Sequence, residues 1–527
     1  MRTAPKRSAL ARIVATVAPG RGVVSNGELT FDCRNGAKTY FEHRLTGNAE
    51  LQAFLNAPVG RTIELLVDPN GHTLTCASDA FEGPGNSLPS ITDSPTMWAV
   101  KVASGPRHLV HVAGSYPPPP PVPFDLWIGD PSADGIIANV RFGGEESAVR
   151  LAVSTTPGFE SPSYSSSVET DDRCAMLEVS GMDPDTLYYC RVDVDSVLQD
   201  AVTGKFRTLP SGESVSFTFA VAGDCRAVSD SNVFDRIRTS GAAFFVLHGD
   251  IHYEDYNGTD LATRMALWDT VYQGSEGRSL LMREMPFLYM WDDHDFCGDN
   301  SDGSDAGRDV ACTAFHRRVP IAIELESDTD PVYWSKKIGR VVLVATDLRS
   351  ERSQNGDTDN SSKSMMGETQ KNWFKAILSD EANDDCLFIW LNTIPWNATS
   401  GEDRWNSFST ERTEIANFIK ANCPGRVLVI CADRHGVGID DGTNGDFATG
   451  GGGATPIMLA GPLDQALHGA VGSYSEGWFN SHNGQFGIIE IDDEGGATID
   501  VTLTGYRVSG AGIAQLVEYS FQVSVGA

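Results

Sequence analysis

Acidic residues and histidines recur in this chain directly after short apolar runs. The run 215–222 leads into Gly223-Asp224-Cys225-Arg226, and 243–247 into His248-Gly249-Asp250-Ile251-His252-Tyr253. The run 287–291 leads into Asp292-Asp293-His294-Asp295. Two later runs, 387–391 and 427–430, lead into Asn392-Thr393-Ile394-Pro395 and Cys431-Ala432-Asp433-Arg434-His435. A lone Asp after a strand is usually a turn or helix cap, and a lone Cys is usually a buried small hydrophobe. Five such strand ends in one chain call for a common cause, because ligands of open α/β sheets lie beyond the carboxyl ends of the strands. Carboxylates and imidazoles gathered there are the ligands of a two-cation hydrolytic centre. A bridging carboxylate offsets the repulsion of cations about 3.5–4 Å apart.

The elements that must position these residues follow from pattern. From 213 to 527, apolar strand-like runs alternate with helical stretches, and the segment 367–378 reads as an amphipathic helix. This predicts an α/β sandwich domain that closes on hairpin strands near 487–491, 498–504 and 517–525. Ahead of it, 124–210 predicts an immunoglobulin- or fibronectin-like β-sandwich. Its segment MDPDTLYYCRV, from Met182 to Val192, has the form of a tyrosine corner. The proline tract 116–123 predicts a polyproline linker. It follows a small β domain over 22–115 and a flexible N-terminus over 1–21.

Composition narrows the function. Asp plus Glu number 71 against 40 Lys plus Arg, a formal charge of −31, which argues against nucleic-acid backbone binding. Ten cysteines without a CxxC pair indicate neither a zinc module nor a disulfide framework, and pairing of Cys174 with Cys190 stays open. No apolar run reaches the roughly 20 residues of a membrane span, and no clean export signal is legible at the N-terminus.

The order of the acidic blocks resembles the calcineurin-like metallophosphoesterase superfamily. The segments HGDIHYED, WDDHDF, TDLRSER, GETQKNWF and CADRHG more closely resemble the PhoD-like alkaline phosphatase family. The resemblance covers about 124–527. It implies Asp250 as the bridging ligand, Asp293 at the place of the superfamily's ligand Asn, and Asp433 and His435 as the last ligands. Asp224 and Cys225 occupy its first block, and Tyr253 fits a phenolate ligand to iron. His294 stands where the family has its catalytic His, with Asp295 expected to orient it. The superfamily's middle His is absent, and Asn392 or Thr393 stands there as the remaining metal ligand. Arg349 and Arg352 are candidate phosphate-binding residues, with structural ion pairs as the alternative, and His248 and His252 are read as bystanders.

The resemblance implies a phosphoesterase acting on phosphate mono- or diesters through metal-activated hydroxide. The implied centre is dinuclear, with Fe³⁺ and Ca²⁺ ahead of Zn²⁺ or Mn²⁺. The small β domain resembles modules of virion-associated and tail proteins of phages, which implies attachment to a larger assembly and an extracellular or virion-associated location. The alternative is a structural or adhesive virion tail-type protein that keeps a phosphatase-like scaffold.

Overall fold

The computed structural model describes residues 123–526 except 145–147 and 511, and before them only the backbone of nine short strands between Ile13 and Val110. The chain divides into two units, Met1–Pro121 and Val122–Ala527. In the first unit the nine strands form one five-stranded and one four-stranded sheet. Its resemblance to virion modules rests on side chains outside the described residues. So does the proline tract up to residue 122.

The second unit opens with a β-sandwich of the fibronectin and immunoglobulin kind. Its strands are β1 (Pro123–Gly129), β2 (Ile136–Phe142), β3 (Val149–Ser154), β4 (Ser163–Tyr164), β5 (Cys174–Val179), β6 (Leu187–Val194) and β7 (Val197–Arg207). The layer β5-β2-β1 faces the layer β4-β3-β6-β7. Between them lies a core that includes Leu126, Ile128, Val140, Leu151, Val153 and Val192. The tyrosine corner is present: the backbone N–H of Asp183 donates to Tyr188 Oη at 3.0 Å. Replacing Tyr188 by Phe keeps the ring but leaves that N–H without its acceptor. The expected loss is about 1 kcal/mol, read as a lower denaturant midpoint at unchanged slope. Cys174 and Cys190 are both free, buried thiols.

The α/β part follows without a break in the sheet. Its elements are β8 (Phe217–Ala222), α1 (Val233–Arg238), β9 (Phe244–His248), α2 (Leu261–Gln273), α3 (Glu276–Glu284), β10 (Phe287–Met290), α4 (Asp293–Phe296) and α5 (Arg308–Arg318). Then come β11 (Trp334–Ile338), β12 (Val341–Ala345), α6 (Glu368–Leu378), β13 (Leu387–Leu391), α7 (Ser409–Asn422) and β14 (Val427–Cys431). The last strands are β15 (Val437–Asp440), β16 (Ile457–Ala460), β17 (Gly477–Phe479), β18 (Gln485–Asp492), β19 (Thr498–Ser509) and β20 (Gly512–Ser524). One nine-stranded sheet has the order β5-β2-β1-β10-β9-β8-β18-β19-β20, so a layer of the sandwich and the first catalytic sheet are one sheet. They join where Gly129 of β1 pairs in parallel with Phe287 of β10. A Cβ on Gly129 would collide with the Pro320 carbonyl oxygen, so only glycine fits this junction.

The other sheet has the order β11-β12-β13-β14-β16-β15-β17, with β12, β13, β14 and β16 parallel. Its central strands are buried on both faces, which is why they read as unbroken apolar runs. Leu343, Ala345, Ile389, Leu391, Leu428 and Ile430 share a core with residues of the first sheet such as Phe219, Val221, Phe245 and Leu247. The alternate residues Val342, Val344, Phe388, Trp390 and Val429 pack with Phe374 and Leu378 of α6 and Ile415 and Ile419 of α7. The result is a sandwich of two sheets with helices outside. His248, at the end of β9, ties the two sheets together, its Nε2 lying 2.8 Å from the Ile430 carbonyl oxygen.

Candidate metal centre

The chain turns sharply as it leaves the strands at one rim of the sandwich. Asp224, Asp250, Asp433 and His435 have φ of +60°, +42°, +64° and +42°. This left-handed region is strained for residues other than glycine, and Asp and Asn tolerate it best. Within the α/β part, the described non-glycine residues in this region are these four with Asp255 and Asn300, all near the acidic rim, as expected of a functional site.

Two groups of ligand atoms form there. Asp224, Asp250 and His435 each place one within 4.8 Å of the others, and so do Asp250, Asp293 and His294. Asp250 belongs to both. Both carboxylate oxygens of Asp224, Asp250 Oδ1 and Asp433 Oδ2 are buried without a hydrogen-bond partner. Such orphaned acceptors are costly, more so when charged. Burial lifts the Asp224 and Asp250 carboxyls well above their ordinary range, and neighbouring carboxylates lift them further. Burial likewise pushes Asp433 up to about 6 and Asp292 to about 7, although Arg349 works against the latter. So many carboxylates cannot ionise together unless cations lie among them, and the donor set of carboxylates, imidazole and phenol fits such cations.

The surrounding contacts orient the ligands. His435 Nδ1 meets the Ala466 carbonyl oxygen, so Nδ1 carries the proton and Nε2 keeps its lone pair. That Nε2 lies 3.7 Å from Asp224 Oδ1 and 3.0 Å from Tyr253 Oη. Asp293 accepts from the backbone N–H groups of His294 at 2.9 Å and Asn300 at 2.7 Å. Burial raises the Asp293 carboxyl, but Arg349, His294 and these donors outweigh it and hold it below the ordinary carboxylate value. Asn392 Oδ1 accepts from Trp405 Nε1 at 3.0 Å, while Asn392 Nδ2 and Thr393 Oγ1 are buried without partners.

Two expectations meet a different arrangement. Asp295 does not contact His294. Its carboxylate accepts from the backbone N–H of Ile251 at 3.0 Å, from that of Asp292 at 2.7 Å and from the Tyr289 hydroxyl. Adjacent helical residues point about 100° apart, so one neighbour can cap the helix while the other faces the opening. The acceptor on His294 Nδ1 is Asp255, at 2.5 Å. Burial alone would lower the His294 pKa, but Asp293 and Asp255 outweigh it and raise it. Cys225 belongs to neither ligand group, because its thiol accepts from Arg278 Nη1 at 3.1 Å and burial pushes it up to about 12.

Arg349 and Arg352 are ion-pair residues. Arg349 is fully buried, with Nε donating to Asp292 at 2.6 Å and Nη1 to both Asp403 oxygens at 3.1 Å. Arg352 Nη2 lies 2.8 Å from Asp403 Oδ1, and its guanidinium sits over the Phe408 ring. Residues that the sequence-based reading does not single out adjoin the predicted ones instead. Asp255 was within reach of it, two residues after Tyr253. Arg404, Arg434 and His468 follow no apolar run or lie beside a stronger candidate. His468 stacks on His435 with ring centres 4.1 Å apart.

Residues 270–509 match the family described as PhoD-like phosphatase. The chain is 22% identical over 308 aligned residues to alkaline phosphatase D of Bacillus subtilis (strain 168), covering 49% of this chain and 52% of that protein. It therefore spans about half the length of the curated relative it matches. A solved structure of PhoD superimposes with a TM-score of 0.63 at 16% identity, covering 78% of this chain and 92% of that one. The purple acid phosphatase PPD1 from yellow lupin (Lupinus luteus) seeds gives 0.53 at 12% identity, covering 83% and 81%. At these identities the likeness establishes the fold. Among the described residues, no helix is long and apolar enough to cross a membrane.

Proposed function

From the premise that the chain carries a PhoD-like phosphatase core over residues 270–509, we propose that it is a metal-dependent phosphoesterase hydrolysing phosphate mono- or diesters. The observation that carries this reading is Asp250, a buried carboxylate common to two ligand groups with an oxygen that no protein donor satisfies. Asp224, Asp250 and His435 would hold one cation, with Tyr253 beside them. Asp250 and Asp293 would hold the second, and Asp433 and Asn392 would complete the set. Oxygen donors favour Ca²⁺ and a phenolate at Tyr253 favours Fe³⁺, so that pair ranks ahead of Zn²⁺ or Mn²⁺. Cations held there supply Lewis acidity toward a phosphoryl oxygen and a nucleophilic water at neutral pH.

The protein's own groups do the rest. Asp255 accepts a hydrogen bond from His294 Nδ1–H and, with Asp293, favours the doubly protonated ring. His294 is then placed to give a proton to the leaving oxygen. Arg349, neutralising Asp292, Asp293 and Asp403, keeps this cluster of acids compatible with a folded rim. The Asp295 carboxylate fixes the 251 turn to the 292 turn, so that Asp250 and Asp293 keep their spacing.

The test is hydrolysis of aryl phosphate mono- and diesters, with elemental analysis of the purified protein. Turnover should vanish after chelation and return on addition of Fe³⁺ with Ca²⁺. Turnover that is absent from metal-replete protein, or indifferent to chelator, sinks the reading.

A further inference from the structure

Arg404 lacks the partners a half-enclosed guanidinium needs. Its side chain is only 16% exposed, its Nε is buried, and among the described residues it donates no hydrogen bond. Its one ion pair, to Asp433 Oδ2, spans 3.6 Å. The other buried arginines near the centre each hold a protein acceptor, though Arg352, whose Nη2 donates to Asn355, also keeps Nε and Nη1 buried without partners. Arg278 donates to carbonyl oxygens at 2.7 Å and to a thiol, and Arg349 donates to carboxylates. Gly401 makes room for Arg404: φ there is +102°, and a Cβ would collide with Arg404 Nη1. The Arg404 guanidinium is thus held close to Asp433 without a hydrogen bond to a protein acceptor among the described residues.

Two arginines, Arg404 and Arg434, adjoin Asp433 although the chain as a whole carries a formal charge of −31. Arg434, next to Asp433, gives Nε and Nη2 to the Gly469 carbonyl oxygen at 3.1 and 3.0 Å, which leaves Nη1 over. Gly469, which Arg434 holds, follows His468, whose ring stacks on His435 with centres 4.1 Å apart, so Arg434 and Arg404 both lie beside the ligand pair Asp433 and His435. Carboxylates of the ligand groups and these two guanidinium groups therefore adjoin at Asp433. An anion with several oxygens would meet the cations held by the carboxylates on one edge and accept from the arginine fork on the other, in the planar, paired way phosphate does.

We infer that Arg404, assisted by Arg434, binds the non-bridging oxygens of the substrate phosphate. This deepens the phosphoesterase reading and rests on it. Arg404 touches substrate rather than acting through Asp433, so its loss should weaken binding of the anion while the cations stay bound.

The experiment compares wild type, Arg404→Gln, Arg404→Lys and Arg434→Gln in the full chain. The readouts are KM and kcat for an aryl phosphate, the inhibition constant of inorganic phosphate, and metal content. Losing a charge-assisted pair should raise both KM and the inhibition constant in Arg404→Gln roughly 10- to 100-fold, with metal content unchanged. Arg404→Lys should recover part of the loss, since it keeps the charge without the fork. Arg434→Gln, at a more open position, should give a smaller rise and guards against a folding defect at 404. Unchanged constants in Arg404→Gln, or a loss of metal that accounts for the change, overturn the inference. Wild type that neither hydrolyses the ester nor is inhibited by phosphate removes the phosphoesterase reading itself. An active wild type beside an unaffected Arg404→Gln removes only the arginine assignment.

Discussion

Asp250→Asn should lower kcat/KM for aryl phosphates at least ~10³-fold, about 4 kcal/mol of transition-state stabilisation. The same variant should make the chelated protein more stable than chelated wild type. The two effects have one origin. Asp250 is shared by both ligand groups, so an amide in its place cannot bridge two cations with a negative charge. Without cations, however, the carboxylate stands buried among Asp293, Asp295, Asp292 and Asp224, which burial and mutual repulsion lift well above its ordinary range. A carboxyl whose pKa is higher folded than unfolded contributes stability in acid and loses it as pH rises. Chelated wild type should therefore lose stability from about the ordinary carboxylate value of 3.8 upward through 6 to 7, where Asp433, Asp292 and Asp295 ionise. Asp250→Asn should flatten that fall. Thermal melts across pH, with and without chelator, check it, and a variant less stable than wild type under chelation would contradict the charge argument.

Trp127→Ala should destabilise the whole of Val122–Ala527, by about 3–5 kcal/mol, in a single unfolding transition. Trp127 lies in the first strand of the β-sandwich, yet its side chain belongs to the core of the α/β part. Its neighbours Leu126 and Ile128, on the opposite face, belong to the sandwich core. Its ring stacks on Tyr272 of α2 at 3.8 Å and meets Phe287 of β10 edge-on at 5.6 Å. Around it, Arg318 pairs with Asp172 at 2.7 Å and Ser279 donates to Asp125 at 2.8 Å. Calorimetry and near-ultraviolet dichroism should report one shifted transition. Two separate transitions would show that the sandwich is a detachable module.

What was legible in the sequence follows from burial. Strands β8, β9, β10, β12, β13 and β14 are covered on both faces or nearly so, which leaves no polar alternation to confuse their reading. Ligands placed directly after them were legible for the same reason. Helices α2, α3 and α5 were not, because Arg264, Arg278 and Arg318 are buried within them and interrupt the apolar stripe. Those arginines serve carbonyl oxygens and thiols rather than water, for example Arg264 to Asp295 O at 3.1 Å and Arg318 to Cys174 Sγ at 2.9 Å. Strands β15, β16 and β17 are too short to show a period. The exchange of Asp255 for Asp295 as the partner of His294 depends on how the 253–256 turn folds back, which residue type alone does not encode. The chemistry of Arg349 suits phosphate and carboxylate alike, which left both open in the sequence, and its enclosure by carboxylates favours the ion pair.

The left-handed backbone at Asp224, Asp250, Asp433 and His435 also limits how this centre could be re-engineered. A designer seeking another cation would ordinarily exchange ligands freely among Asp, Glu, Cys and His. Here three of the four positions are ones where Asp and Asn are comfortable and longer or branched side chains cost about 1–2 kcal/mol each. Changing Asp to Asn tunes charge without moving the chain, whereas Glu or Cys would have to recover the backbone term before gaining any affinity. The selectivity of the site is thus partly written in main-chain torsion, and retuning it begins with the turns rather than with the ligands.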